Sequence, residues 1–383
     1  MKLAINAFNI RIGGGVTHLV ELLSAADPQK YGFSEVSVWS NADTLALLPE
    51  KEWLKKISVE ALNKGFLNKL WWNLRYFSRE LKNYDVFFVP GGTYLGKFRP
   101  FVNMFQNALP FEQKEQRRFF FRSPLFYLKW NLLRFTQGLT FKRTQGAIFP
   151  SYYLESLVSK KIKQSRQQRS AVIPHGINPI FFREPIMETE ALLQKKIIRI
   201  VYSSRIDFYK HQWHVVKAVK LLRDLQIPIQ LDLCGYVGNH RAMSRLKTAM
   251  HKADPAGDFI HYHGHIDYNQ LPSLYEKTDI FVFASSCESI SSILLEGMAS
   301  GLAIACSKLP VTEEVLKDAG VYFNPEKPEE IKNALYQLIT NNSLRQDCKN
   351  KAYQLAKQYS WNRCADHTFS FLQQVAHSER LEM

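Results

Sequence analysis

The sequence predicts an α/β protein built as two doubly wound domains in succession, and three observations predict it. Short apolar runs of strand type alternate with helix-type segments along both halves of the chain, the pattern of parallel sheets covered by helices on both faces. An apolar strand, Ser170 to Ile173, closes in Pro174-His175-Gly176-Ile177-Asn178-Pro179 and marks a boundary between the halves. The stretch from Phe281 to Gly301 passes from apolar strand through a Ser-rich turn into a helix pattern closed by glycine. With 383 residues, 46% of them hydrophobic, the chain buries ample core and suits two or three domains.

In the first half, Leu3–Phe8 reads as a strand, followed by Gly13-Gly14-Gly15 and a helix carrying Leu19, Leu22 and Leu23. Glycines between a first strand and a first helix let a ligand approach backbone N–H groups; this run is not the G-x-G-x-x-G dinucleotide fingerprint. Further strands are expected at Val36–Ser40, Ile57–Ala61, Val86–Val89, Val102–Phe105 and Ala147–Phe149. Leu67, Leu70, Trp71, Leu74, Phe77 and Leu81 recur at helical spacing, accompanied by Lys64, Lys69, Arg75, Arg79 and Lys82. Such a basic amphipathic helix either packs on the core or, with Trp71 and Trp72, rests on anionic lipid. Ligands bind at the carboxyl ends of strands in open α/β sheets, which makes Gln106 and Asn107 candidate site residues. Lys114–Lys142 reads as a helix on which Lys129 and Arg134 lie roughly 140° apart, so no clean apolar face is expected.

Strands of the second half are expected at Ile198–Ser203, Ile229–Cys234, Ile260–His263, Ile280–Phe283, Ala303–Cys306 and Val321–Phe323, with closing helices at Pro328–Leu338, Ser343–Gln358 and Trp361–Val375. The helix start around Ser289 to Ile293 is a cradle for phosphate, because unpaired N–H groups and the positive end of the helix dipole meet there. Glu288 precedes it and Glu296 lies within it, seven residues between them. Carboxylates accept hydrogen bonds from sugar hydroxyls on either side of a phosphate; they also simply stabilise any helix start. After the first strand of this half, Arg205 and Lys210 converge on a diphosphate or stand as solvated charges. His261, His263 and His265 alternate along one strand without the further ligands a metal site needs.

Charge is uneven: residues 1–170 hold 26 Lys and Arg against 12 Asp and Glu, a net of +14, and the remainder 24 against 23. The field favours an anionic partner, whether nucleic acid, acidic membrane or phosphorylated substrate. No RRM, KH or zinc-finger pattern supports nucleic acid. Cys234, Cys287, Cys306, Cys348 and Cys364 are scattered, as in a reducing compartment, and form no C-x-x-C pair. Met1 to Phe8 reads as a strand and not as a signal peptide, and no window offers the ~20 uncharged apolar residues of a spanning helix. A cytoplasmic protein, held at most at the inner face of the membrane, is expected.

Glu288-x7-Glu296 followed by Gly297-Met298-Ala299-Ser300-Gly301 resembles the signature of the retaining GT-B glycosyltransferases of glycosyltransferase family 4, with Ser289-Ile-Ser-Ser-Ile293 where Gly-Phe-Gly-Leu-Pro is usual. Ser204-Arg205-Ile-Asp207-Phe-Tyr-Lys210 is similar to that family's Gly-Arg-Leu-x-x-x-Lys, and Gly13 to His18, Gln106 to Phe111, Ser170 to Pro179 and Tyr359-Ser-Trp361 are similar to further segments of it. The resemblance implies a GT-B fold of two Rossmann-like domains facing a central cleft. Residues 1–180 would form the acceptor side, with a helix from about 359 to 383 crossing back onto it, and 181–358 the nucleotide-sugar donor domain. It further implies that Glu288 faces the donor sugar and Glu296 the ribose, while Arg205 and Lys210, with the helix start at Ser289 and Ile293, meet the leaving diphosphate. Gly14, Gly15, Gly235, His265 and Ile266 would also contact the donor, and Gln106 and Asn107 the acceptor. No Asp-x-Asp occurs, so no metal or other cofactor is expected beyond the nucleotide-diphosphate sugar itself. The implied activity is transfer of a hexose to a glycan or lipid-linked acceptor in polysaccharide or lipopolysaccharide synthesis; an epimerase of the same fold and a non-catalytic sugar- or nucleic-acid-binding protein are the alternatives.

Overall fold

A computed structural model describes residues 1–11, 13–58, 77–122, 124–162, 168–187 and 192–382. The chain separates into two units, 1–176 with 360–383, and 177–359.

In the first unit the described residues form a seven-stranded parallel sheet of β1 (Lys2–Asn6), β2 (Glu35–Ser40), β3 (Leu54–Ser58), β4 (Val86–Val89), β5 (Phe101–Met104), β6 (Gly146–Phe149) and β7 (Arg169–Val172), in the order 3-2-1-4-5-6-7. Helices α1 (Gly14–Ala25), α2 (Ala42–Ala46), α3 (Phe77–Glu80), α4 (Gln113–Arg122), α5 (Pro124–Arg143) and α6 (Tyr152–Ser159) join it. Central strands such as Val86-Phe-Phe-Val89 are buried along their whole length, which is why they read as unbroken apolar runs. The edge strand β3 begins three residues earlier than its apolar run predicts, with Leu54 buried, Lys55 exposed, and Lys56 and Ile57 half-buried. An edge strand has one side open and tolerates polar residues there, so apolar residues alone misplace it.

Most of the basic segment with Trp71 and Trp72 lies outside the described residues; its end packs as core, Phe77 meeting Trp39 and Phe87 edge-on at 5.3 and 5.4 Å, with Leu81 in the same cluster. The Lys114–Lys142 expectation is corrected. Two helices stand there, the second opening on Pro124; α5 carries apolar residues on its packed and its open side alike, so no single apolar face sets it off, yet Leu125, Leu128, Leu132, Phe135 and Leu139 recur at spacings of three and four and are exposed. Lys129 lies at the edge of that stripe and Arg134, half-buried, far from it, so their separation spans the flanks and says nothing of the arc between.

The second unit has the same plan in six strands: β8 (Ile198–Ser203), β9 (Ile229–Cys234), β10 (Ile260–Tyr262), β11 (Ile280–Phe283), β12 (Ala303–Ser307) and β13 (Val321–Phe323), all parallel, in the order 10-9-8-11-12-13 among the described residues. Its helices are α7 (Gln212–Asp224), α8 (His240–Ala253), α9 (Leu271–Glu276), α10 (Ser292–Ala299), α11 (Pro310–Leu316), α12 (Pro328–Thr340) and α13 (Asn342–Ala356). Strand order reverses between β8 and β11, and the crevice at the carboxyl ends of such a pair is where open α/β sheets bind ligands. The last helix, α14 (Trp361–Glu382), returns to the first unit and buries Trp361, Phe369, Leu372 and Val375 in one core with Leu19, Leu22 and Leu23 of α1.

His18 of α1, His175 and Trp361 form a buried aromatic cluster, the two imidazoles 4.6 Å apart. Burial lowers the His175 pKa from 6.5 to about 4, and burial together with the His175 charge holds His18 well below its ordinary value. Both rings are therefore neutral in the fold, while an unfolded chain binds protons as pH falls below 6.5. Stability should fall between pH 6.5 and 4, by up to about 3 kcal/mol from His175 alone. Urea unfolding across that range checks this: His175→Phe should flatten the slope, and an unchanged slope would remove His175 as its source.

Candidate functional site

Arg205 and Lys210 follow β8, and Glu288 follows β11, so the three stand on either side of the strand reversal in the second unit. The two loops are bound to each other by backbone and hydroxyl groups. Ser286 N–H donates to the Tyr209 carbonyl (2.8 Å), and the Ser285 and Ser286 hydroxyls donate to the same oxygen (3.3 Å each). His211 Nε2 meets Ser286 Oγ at 2.8 Å. The Ser-rich turn is thus explained by what its hydroxyls hold. Across it Lys210 Nζ pairs with Glu288 Oε1, Lys210 being buried and its ammonium lying 5.3 Å from the Tyr209 and Phe283 ring centres.

Arg205 is held separately. Its Nη2 donates to Asp207 Oδ2 at 2.8 Å, while Asp207 Oδ1 accepts from Phe208 N–H. The guanidinium lies over the Tyr236 ring, 5.6 Å from its centre, and a β-carbon at Gly238 would fall 2.6 Å from Arg205 Nε. Gly235, at φ 138°, passes so near that a β-carbon would lie 2.1 Å from the Ser204 carbonyl. Only glycine meets both demands. Ile206 N–H donates to the Tyr236 carbonyl (2.9 Å), and Gly238 N–H to that of Ile206 (3.1 Å), so the loops after β8 and β9 are tied to each other.

Helix α10 begins at Ser292, its N-cap Ser291 accepting from Leu294 N–H at 3.2 Å. Ser289 and Ile293 are half-buried at this start, where a helix presents N–H groups and positive potential. Glu296, one turn in, is buried; burial pushes its pKa from 4.5 up to about 8, against a hydrogen bond from Tyr268 that lowers it. Tyr268 follows the loop carrying His265 and Ile266. His265 is exposed and faces the Tyr236 ring edge-on at 6.4 Å, Ile266 is half-buried, and Gly235 N–H donates to the Gly264 carbonyl at 2.7 Å. His263 Nε2 meets Asp232 Oδ1 at 2.7 Å.

In the first unit, Gly14 and Gly15 open α1, and a β-carbon on Gly15 would meet Gln106 Oε1 at 3.3 Å. Gln106 Nε2 reaches His18 Nδ1 at 3.3 Å, whereas Asn107 Oδ1 accepts from Leu109 N–H at 3.0 Å and so shapes its own turn. Sequence reading passed over Tyr236, Gly238 and Tyr268. Tyr236 and Gly238 stand just after a strand end, which is a signal; the reach of Tyr268 to Glu296 has none.

Residues 184–355 match the family described as Glycosyl transferases group 1. An uncharacterized glycosyltransferase of Methanocaldococcus jannaschii is 25% identical over 306 residues, 70% of this chain and 75% of that protein. The O-antigen chain mannosyltransferase B of Escherichia coli is 30% identical over 112 residues, 29% of each. Among solved structures, sucrose-phosphate synthase from Thermosynechococcus elongatus superposes with a TM-score of 0.75 at 16% identity, covering 99% of this chain and 100% of that one. Anabaena HepE in complex with UDP-glucose does so at 0.68 and 14%, covering 99% of each. The fold is GT-B, and the match to the glycosyl transferases group 1 model lies within the second unit.

A carboxylate held at a site that opposes its ionisation costs stability, a common mark of function. Because Glu296 titrates higher in the fold than in the unfolded chain, its proton adds stability that is complete below pH 4.5 and lost as pH rises through 8. Glu296→Gln should therefore unfold at higher denaturant than the natural protein at pH 8 to 9, by up to about 5 kcal/mol, and match it near pH 4.5. Equal stability at high pH would mean that Glu296 is not confined as described.

Proposed function

We propose that the protein transfers a sugar from a nucleotide-diphosphate sugar to a glycan or lipid-linked acceptor, with retention at the anomeric carbon as the family resemblance implies. The single observation that carries this is the convergence at the β8/β11 reversal of a buried Lys210–Glu288 pair, a cradled Arg205 and the start of α10. Support for the donor comes from HepE, solved with UDP-glucose on the same fold. The O-antigen mannosyltransferase among the relatives supports a place in cell-surface polysaccharide synthesis.

When the bond between the anomeric carbon and the phosphate oxygen breaks, its electron pair goes to the diphosphate, and the charge that grows there is met by fixed cations and N–H groups. An ammonium has three donors, so Lys210 can keep Glu288 with one and turn others to phosphate. Arg205 presents a planar fork, pre-oriented by Asp207 and Tyr236. Glu288, held by Lys210, accepts from sugar hydroxyls, and Glu296 accepts from the ribose. The acceptor hydroxyl closes the new bond and its proton passes to the departing phosphate oxygen. As the family resemblance implies, Gly14 and Gly15 of the first unit serve the donor, and Gln106 and Asn107 the acceptor.

Arg205→Ala should lower turnover by two or more orders of magnitude, the range for removing a fixed transition-state donor. Lys210 is tested together with its partner, as Lys210→Met with Glu288→Gln, because Lys210→Ala alone would strand a largely buried carboxylate. Release of free nucleotide from a panel of nucleotide-sugars is the assay; near-natural rates in both variants would overturn the assignment.

The cations present at the site also supply the charge that a divalent ion brings to a diphosphate elsewhere. Activity should persist in excess chelator. Loss of activity that magnesium or manganese restores would contradict this reading of Arg205 and Lys210.

A further inference from the structure

Helix α5 of the first unit is anchored by one face and bare on the other. Phe141 packs against Phe105 and Phe149, with ring centres 5.5 and 6.1 Å away, and Thr140 Oγ1 donates to the Tyr94 carbonyl and accepts from Tyr94 N–H. On the other face Leu125 is 80% exposed, Leu128 66%, Leu132 61%, Phe135 63% and Leu139 37%. At ~100° per residue these five fall within an arc of roughly 80° and span ~21 Å of helix. A continuous stripe of that size on a firmly packed helix marks an interaction surface.

Charge selects the partner. Between Pro124 and Arg143 there is no acidic residue, while Lys129, Arg134, Lys142 and Arg143 are present. Lys129 and Lys142 are exposed and lie on opposite sides of the apolar arc. A second copy of the chain is disfavoured, because antiparallel pairing of the stripe brings the same flank of each helix together, Lys129 on the side of the other copy's Lys129, and neither helix has an acidic residue to offset the charge. An acidic surface with an apolar interior answers both the stripe and its borders. No helix among the described residues is long and apolar enough to cross a membrane, so the helix would lie on the surface and not through it.

We propose that α5 is the membrane-docking element of this protein, lying flat on anionic lipid with Leu125, Leu128, Leu132, Phe135 and Leu139 at the acyl boundary and Lys129 and Lys142 at the headgroup phosphates. This rests on the first unit alone and is independent of the donor chemistry of the second. It also differs from the expectation placed on Trp71 and Trp72.

Co-sedimentation with vesicles tests it, using equimolar phosphatidylglycerol and phosphatidylcholine against phosphatidylcholine alone, at low and high salt. The natural protein should bind the mixed vesicles at low salt and not the neutral ones. Leu128→Ser, Leu132→Ser and Phe135→Ser together should weaken binding by roughly tenfold or more, and Lys129→Glu with Lys142→Glu by roughly tenfold. All of these positions are exposed, so circular dichroism and nucleotide release should match the natural protein. Lys69→Glu, Arg75→Glu and Arg79→Glu together form the comparison set. The proposal fails if the natural protein stays in the supernatant, if the serine variant binds as the natural protein does, or if only the comparison set loses binding. It also fails if gel filtration shows a dimer that the serine variant converts to monomer without any vesicle binding, which would make the stripe a contact between copies.

Discussion

The pairing of Lys210 with Glu288 is the constraint on which the rest of the second unit's site depends. Removing an ammonium and a carboxylate from water costs several kcal/mol per ion, and replacing such a pair by apolar side chains is often neutral or favourable. Stability alone therefore explains it poorly. The loops that carry the two residues are already joined by Ser285, Ser286 and the Tyr209 carbonyl, so the pair is not needed to close them. On the proposed function, it provides a cation in a dry place with a partner that keeps it tolerable before a phosphate arrives, and a carboxylate aimed by that same cation.

The sheet explains why these groups meet at all. Reversal of strand order between β8 and β11 leaves their carboxyl ends uncovered by a crossover, and the loops emerging there face each other. One brings Arg205 and Lys210, the other Glu288 and the start of α10. The neighbouring strand β9 contributes Tyr236 and Gly238, which fix the guanidinium by a ring on one side and the want of a side chain on the other. Glu296 completes the arrangement from within α10, at the expense of a carboxyl that burial holds far above its usual range. Three of these four carboxylate and cation positions, Lys210, Glu288 and Glu296, are thus unfavourable in isolation, and all lie around one crevice.

Much of this was legible in the sequence, for a physical reason. Parallel strands inside a sheet are buried on both faces and so are mostly apolar, and Ile198–Ser203, Ile229–Cys234 and Ile280–Phe283 stand where the apolar runs stand. Where burial is one-sided the same logic slips, as in β3, whose Lys55 and Lys56 hide the strand from a search for unbroken runs. The stripe on α5 is hidden in the sequence because the packed side of the helix, Phe141 among it, is apolar as well, and only exposure separates the two. Partnerships across the chain were out of reach. Lys210 and Glu288 lie 78 positions apart, and no local pattern announces that one will hold the other; the same holds for Tyr268 with Glu296.

Calorimetric titration with a panel of nucleoside diphosphates tests the central claim most directly, since it measures the diphosphate site without requiring the sugar or acceptor to be known. The account predicts that at least one diphosphate binds the natural protein at one site per chain, and that binding weakens by roughly tenfold or more in Arg205→Ala and in Lys210→Met with Glu288→Gln, charge-assisted hydrogen bonds of this kind contributing about 1.5–3 kcal/mol each. Saturable binding that both variants retain at full strength would contradict it, as would the failure of every diphosphate to bind.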